Sequence, residues 1–187
     1  MRIINLISMI IFIKKCLMKL QPSTLSDIPR IMEIIHEAQV YLAQLEIDQW
    51  QDGYPNEEKI ELDIQNEDSY VVLNDSDVII GTTVFTTKTE RAYRTIQGKW
   101  LTNDDAVYGV IHRLAVGEEY RKLGLARFVF DECHNRLKEL NVKSLRIDTH
   151  RGNKGMQHLL EKMSYAYCGV ILLESGAERL AFEKIIS

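Results

Sequence analysis

Between residues 121 and 126 the sequence reads RKLGLA, setting Arg121, Gly124 and Ala126 three and then two residues apart. The apolar run VYGVIHRLAV (107–116) precedes this segment and an amphipathic stretch follows it. A strand ending near Val116 and a helix beginning near Leu125 would leave backbone N–H groups pointing outward at a helix N-terminus, and such groups favour an anion. Gly124 supplies freedom in φ and close approach of the backbone to a ligand, and the small Ala126 keeps the helix start uncovered. Arg121 and Lys122 add positive charge for the same anion. A pyrophosphate is a natural occupant, while a plain strand-to-helix turn is the alternative use of Gly124. The spacing matches neither G-x-G-x-x-G nor the P-loop pattern.

Length and composition narrow the classes. A chain of 187 residues is the size of one ordinary domain, and it shows no internal shift of composition. With 45% hydrophobic and 27% charged residues, neither disorder nor a membrane fold is the default. A net charge of -4 argues against duplex nucleic acid as the main partner, because that binding needs a concentrated basic face. Cys16, Cys133 and Cys168 are odd in number and form no CxxC pair, which suits a reducing cytoplasm and supports neither a disulfide framework nor a metal site. The apolar run Ile3–Ile13 is far short of the roughly 20 residues a spanning helix needs, and no small-x-small cleavage site follows it. Residues 1–17 therefore read as an extension, with the domain proper over 18–187 and no stable membrane association expected. An interfacial anchor, or a helix packed on the body or on a partner subunit, are the alternatives.

Periodicity places the elements. MKLQP (18–22) suits an edge strand, and apolar residues at helical spacing from Ile28 to Leu45 predict a helix over about 26–45. Asn56, followed by Glu57 and Glu58, starts a second helix that runs to about 66. SYVVLNDSDVIIGTTVF (69–85) reads as a hairpin around NDSD. Residues 88–106, with Trp100, read as a long excursion or irregular hairpin arm. Then come a buried strand (107–116), a helix (125–140), a strand (144–149), a helix (153–163) and two strands around SGAE. The class is mixed α/β with strand pairs at both ends.

Written R-x-x-G-x-A, the loop resembles the acetyl-CoA pyrophosphate loop of the GNAT superfamily of N-acetyltransferases. RLAV just before it, Tyr120 beside Arg121, NKGMQHLLEKMSY at 153–165 and the order of elements from Met18 to Ile186 carry the resemblance further. It implies a central mixed, mostly antiparallel twisted sheet flanked by helices, with a splayed strand pair, 107–116 and 144–149, that binds the cofactor. Leu114 and Val116 would pair with the pantetheine arm, and the amides of Arg121, Lys122, Leu123, Gly124, Leu125 and Ala126 would hold the pyrophosphate. Asn153 would face the cofactor, although a plain N-cap is its other use.

The implied reaction is direct attack of an amine on the thioester of acetyl-CoA, with no metal. An alkyl amine is mostly protonated at pH 7, so a base is useful. His112 is the candidate, because alternation along the strand would put it on one face with Leu114 and Val116; a packed core histidine is the competing role. Asp148 and His150 stand in reserve, with Asp148 also able to orient the base or the amine. Leu160 stands where many relatives carry a tyrosine acid, and Tyr165 takes a place that suits packing. Lys122 replaces a common glycine, which makes any positive φ there cost about 1 to 2 kcal/mol. Trp50, Tyr54 and Trp100 are expected at the acceptor site. With Asp48 and Asp52, the loop aromatics suit a cationic small-molecule amine, unless the loop is merely exposed with Trp50 tucked onto the core. Acetylation of protein N-termini or lysines, and a non-catalytic CoA sensor, are the alternatives. Dimerisation is a family habit that no residue here specifies.

Overall fold

The structure, a computed structural model, describes residues 18–186. The expected extension 1–17, with Cys16, lies outside them. Among the described residues, eight strands form one sheet in the order β1-β2-β3-β5-β6-β8-β7-β4. They are β1 (Lys19–Pro22), β2 (Ser69–Leu73), β3 (Ile79–Thr86), β4 (Ile96–Gly98), β5 (Gly109–Val116), β6 (Ser144–Thr149), β7 (Ala166–Leu172) and β8 (Glu178–Ile185). Every neighbouring pair is antiparallel except β5 and β6. The α-helices of the described residues that cover the sheet are α1 (Ile28–Gln44), α2 (Glu57–Gln65), α3 (Leu125–Glu139) and α4 (Lys154–Lys162).

Local chemistry accounts for the helix starts. Thr24 and Asp27 form a capping box on the turn that leads into α1, and Pro29 sits in the first turn of the helix, where its missing N–H costs nothing. Asn56 Oδ1 accepts from Lys59 N at 3.0 Å to open α2. α1 and α2 bury Ile28, Ile31, Ile35 and Ile60 against Val71 and Leu73 of β2. Val72, pointing the other way, joins the main core with Val129, Phe130 and Leu137 of α3 and Leu160 of α4. The two helix pairs thus lie on opposite faces, as the period of two along a strand requires. Among the described residues no helix is long and apolar enough to cross a membrane.

The segment 88–106 departs most from expectation. It makes a short helical turn, Arg91–Arg94, and then β4, which pairs with β7 at the sheet edge. That pairing brings Gly98 opposite Gly169, and a Cβ on Gly98 would stand 2.1 Å from the Cys168 carbonyl oxygen. Tyr93 and Trp100 join Tyr108, Val110, Cys168 and Ile171 in a separate buried cluster. A polar anchor fixes the return. Glu183, fully buried, accepts from Ser144 Oγ, Thr102 Oγ1, the Leu101 amide and Arg146 Nε. The Arg146 guanidinium lies 4.3 Å from the Trp100 ring and 3.9 Å from that of Tyr108. Burial alone would raise the Glu183 carboxyl, but these hydrogen bonds and the Arg146 charge hold it below its ordinary value. Trp100, expected at an acceptor pocket, is instead 4% exposed and belongs to this second core. A large aromatic flanked by few apolar neighbours gave no sign of the partners that distant strands bring to it.

Candidate active site

β5 and β6 pair only at Gly109↔Leu145 and Val110↔Arg146, and beyond these residues the strands part. A cleft of about 1070 Å³ opens there. Ile111 to Val116 line one side and Ile147 to Thr149 the other, with Trp50, Tyr54, Glu90 and Asn153 among the residues around them.

A bulge in β5 decides which side chains face which way. Thr82 pairs with Ala115 and Val84 with His112, so Arg113 and Leu114 together oppose Thr83. Arg113 takes φ +50, a left-handed conformation costing a residue with a Cβ about 1 to 2 kcal/mol. Its guanidinium is tied down by Asp63 Oδ2 at 2.8 Å and by the Tyr54 hydroxyl, which accepts from Nη1 at 2.6 Å. The extra residue overturns the alternation expected from sequence. Leu114 and Val116 pack with Ile111 against the α3 core, whereas His112 stands edge-on to Tyr93 of the other cluster, with ring centres 6.0 Å apart.

His112 lies between two carboxylates. Its Nε2, buried and without a well-directed hydrogen bond, is 2.8 Å from Glu90 Oε1, and its Nδ1 is 3.9 Å from Asp148 Oδ1. Asp148 accepts from the Tyr93 hydroxyl at 2.6 Å, and Arg179 Nε is 3.9 Å from its other oxygen. Burial and the Asp148 charge push the Tyr93 phenol well above its ordinary range, so it stays protonated and donating. For Glu90, burial acts upward, but the contact with His112 and the charges of His112, Arg113 and Lys59 prevail and hold the carboxyl below its usual value. Glu90 and Tyr93 were missed in the sequence, because nothing in the spacing of ERAYR marks a residue that reaches a strand distant in sequence.

The loop before α3 has the left-handed turns that an anion cradle needs. Lys122 has φ +66 and Gly124 φ +83, and no side chain caps the first turn of α3. Leu123 is exposed, and Leu125 is buried against Gly81. Of these loop residues, Arg121 lines the cleft. Its guanidinium does not point freely at an anion: it lies 4.4 Å from the Tyr41 ring centre, and Nη2 donates to the Glu37 carbonyl at 3.0 Å. Asn153 lines the cleft and caps α4, accepting from Met156 N at 3.0 Å. His150, the reserve base, is used locally, its Nδ1 accepting from Gly152 N at 3.0 Å.

Several chemically active groups lie elsewhere. Leu160 is fully buried in the main core. Tyr165 packs edge-on to Phe130, and its hydroxyl meets His134 Nε2 at 2.7 Å. Burial pushes the Cys133 thiol up to about 12, which removes it as a nucleophile. Trp50 and Tyr54 line the cleft, the former half-buried and the latter exposed.

The comparisons agree with this architecture. Residues 35–165 match the Acetyltransferase (GNAT) family. A GNAT-family acetyltransferase from Streptococcus agalactiae is 34% identical, with a TM-score of 0.81 over 91% of this chain and 96% of that one. The chain belongs to the GNAT family of acetyltransferases. At 14% identity, a phosphinothricin acetyltransferase from Sinorhizobium meliloti, solved with AcCoA, shares the fold, with a TM-score of 0.65 over 91% of this chain and 89% of that one. An N-acetyltransferase from Thermoplasma acidophilum, solved with coenzyme A, does so at 15% identity, with a TM-score of 0.65 over 90% and 98%. No curated protein sequence matches the chain.

Proposed function

We propose that this protein transfers an acetyl group from acetyl-CoA to the primary amine of a small molecule, in the cytoplasm. The observation that carries the proposal is the parting of β5 from β6. It leaves the β5 edge from Ile111 to Val116 unpaired on the β6 side, with His112 and Asp148 toward one end and the uncapped start of α3 beyond the other. The residues suit the donor. Left-handed Lys122 and Gly124 turn the chain, and the amides through Ala126 have no side-chain cap competing for them. A Cβ at Gly124 would meet nothing within 4 Å, so there is open space beside the backbone. The edges of Leu114 and Val116 would hold the pantetheine arm, with Asn153 opposite. Arg121 contributes by tying the loop to α1 through Glu37 and Tyr41.

Acetyl-CoA supplies a thioester whose C–S bond breaks as the amine's C–N bond forms. Asp148, held by Tyr93, attracts the acceptor ammonium, and His112 takes its proton, leaving the neutral nucleophile. Backbone N–H groups around the bulge at Arg113 are suited to the negative charge that develops on the acyl oxygen. With Leu160 in the core, no side chain is assigned as acid; a thiolate with reference pKa ~8.5 leaves tolerably without one and takes up, directly or through water, the second proton that the nitrogen loses as it becomes an amide. The Trp50 and Tyr54 loop beside the cleft favours a compact acceptor over an extended peptide.

The test is acetyl-CoA consumption with a panel of small amines and peptides, for the wild type and His112→Ala. We expect turnover on small amines, reduced by about 100-fold or more at pH 7 in the variant and least reduced at high pH, where the amine deprotonates unaided. Activity on peptides alone would contradict the acceptor class. Unchanged turnover of His112→Ala at pH 7 would remove His112 from the mechanism.

A further inference from the structure

The excursion 88–106 delivers two groups to His112 from outside the strands that form the cleft. Glu90 immediately precedes the Arg91–Arg94 turn and Tyr93 lies within it. The carboxylate approaches Nε2, and the phenol approaches Asp148, which faces Nδ1.

Two facts about Nε2 bear on its role. A carboxylate oxygen 2.8 Å from Nε2, although off the line of a hydrogen bond, favours a hydrogen on this nitrogen over a lone pair, which would set two acceptors against each other. Nε2 is also buried, with no other partner, so an acceptor amine cannot reach it. Nδ1 is left as the nitrogen that presents a lone pair. The 3.9 Å between Nδ1 and Asp148 Oδ1 is too long for a direct hydrogen bond and leaves room for one nitrogen donating to both.

We infer that Glu90 is the positioning residue of the proposed base: it holds the neutral imidazole of His112 as the Nε2–H tautomer and aims Nδ1 at an amine bound by Asp148. This rests on the assignment of His112 as base. The proton leaves the amine nitrogen and arrives on Nδ1, forming an imidazolium flanked by Glu90 and Asp148. Tyr93 stays neutral, and Arg113, Lys59 and Arg179 are the nearby cations that oppose the charge. In this assignment Glu90, 2.8 Å from Nε2, acts through His112.

The experiment has two independent readouts. Nitrogen-15 spectra of the histidine rings in the full-length wild-type protein, assigned with His112→Ala, should show the neutral His112 ring as the Nε2–H tautomer, and Glu90→Gln should convert it to a tautomer mixture. In steady-state kinetics, Glu90→Gln should lower kcat/KM about 10- to 100-fold and move the acid limb of its pH profile downward, because the imidazolium loses an anion; Glu90→Asp should restore part of both. An Nδ1–H ring in the wild type, or an unmoved acid limb in Glu90→Gln, overturns the inference. If His112→Ala keeps full turnover, the assignment of the base fails, and the ring spectra still decide what Glu90 does to His112.

Discussion

Gly124 shows how a residue's conformation can be separated from the space around it. Its φ of +83 lies where a side chain is strained, yet a Cβ would meet nothing within 4 Å. Gly124→Ala should therefore fold and lose about 1 kcal/mol in chemical denaturation, the cost of the left-handed backbone alone. A loss several times larger would mean that the loop is packed more tightly than this geometry allows. This glycine and the left-handed turn it makes before α3 were legible in the sequence, because φ freedom and small size act locally. His112 was legible as a residue, but its orientation was not. Glu90 was not legible at all, since its meaning depends on a contact made 22 positions further along the chain.

At the scale of elements, the helices and the main strands followed from periodicity and capping, which depend on neighbours in sequence. The predicted helix over 26–45 forms as a short turn followed by α1, and Asn56 caps α2 as expected. Two features escaped. The bulge at Arg113 shifts the face of every later β5 residue, and its strain is held by partners at Asp63 and Tyr54. The segment 88–106 pairs with β7, a strand about 70 residues later, and its anchor at Glu183 is later still. Alternation cannot see an inserted residue, and composition cannot see a remote partner. Both features bear on His112: the bulge puts the later Leu114 and Val116 on the face opposite to it, and the excursion supplies Glu90.

For the whole molecule, buried titrating groups set an acid limit on stability. Burial, with the Lys184 charge, lowers His134 to about 4, whereas an unfolded histidine protonates near ~6.5. Between those values the unfolded chain binds the extra proton, so stability falls as pH falls through that window. Glu183 and Glu90 have carboxyls held below their ordinary value. Their stabilisation is present above about 4.3, the unfolded carboxyl value, and is lost as pH falls through the lower folded values. Thermal unfolding should therefore show a decline in midpoint from pH 6.5 toward 4 and a second one below, and His134→Gln should flatten the first alone. A midpoint constant from pH 7 to 4.5 would contradict this. If the parted strands and the uncapped α3 start hold acetyl-CoA, the cofactor must stabilise the folded chain, and thermal unfolding of the protein with acetyl-CoA, with ATP and NAD as controls, reads this out. At 100 times its Kd a specific ligand stabilises by about 2.7 kcal/mol, so the midpoint should rise clearly with acetyl-CoA and little with the controls. No shift at saturating acetyl-CoA, or an equal shift with ATP, would contradict it.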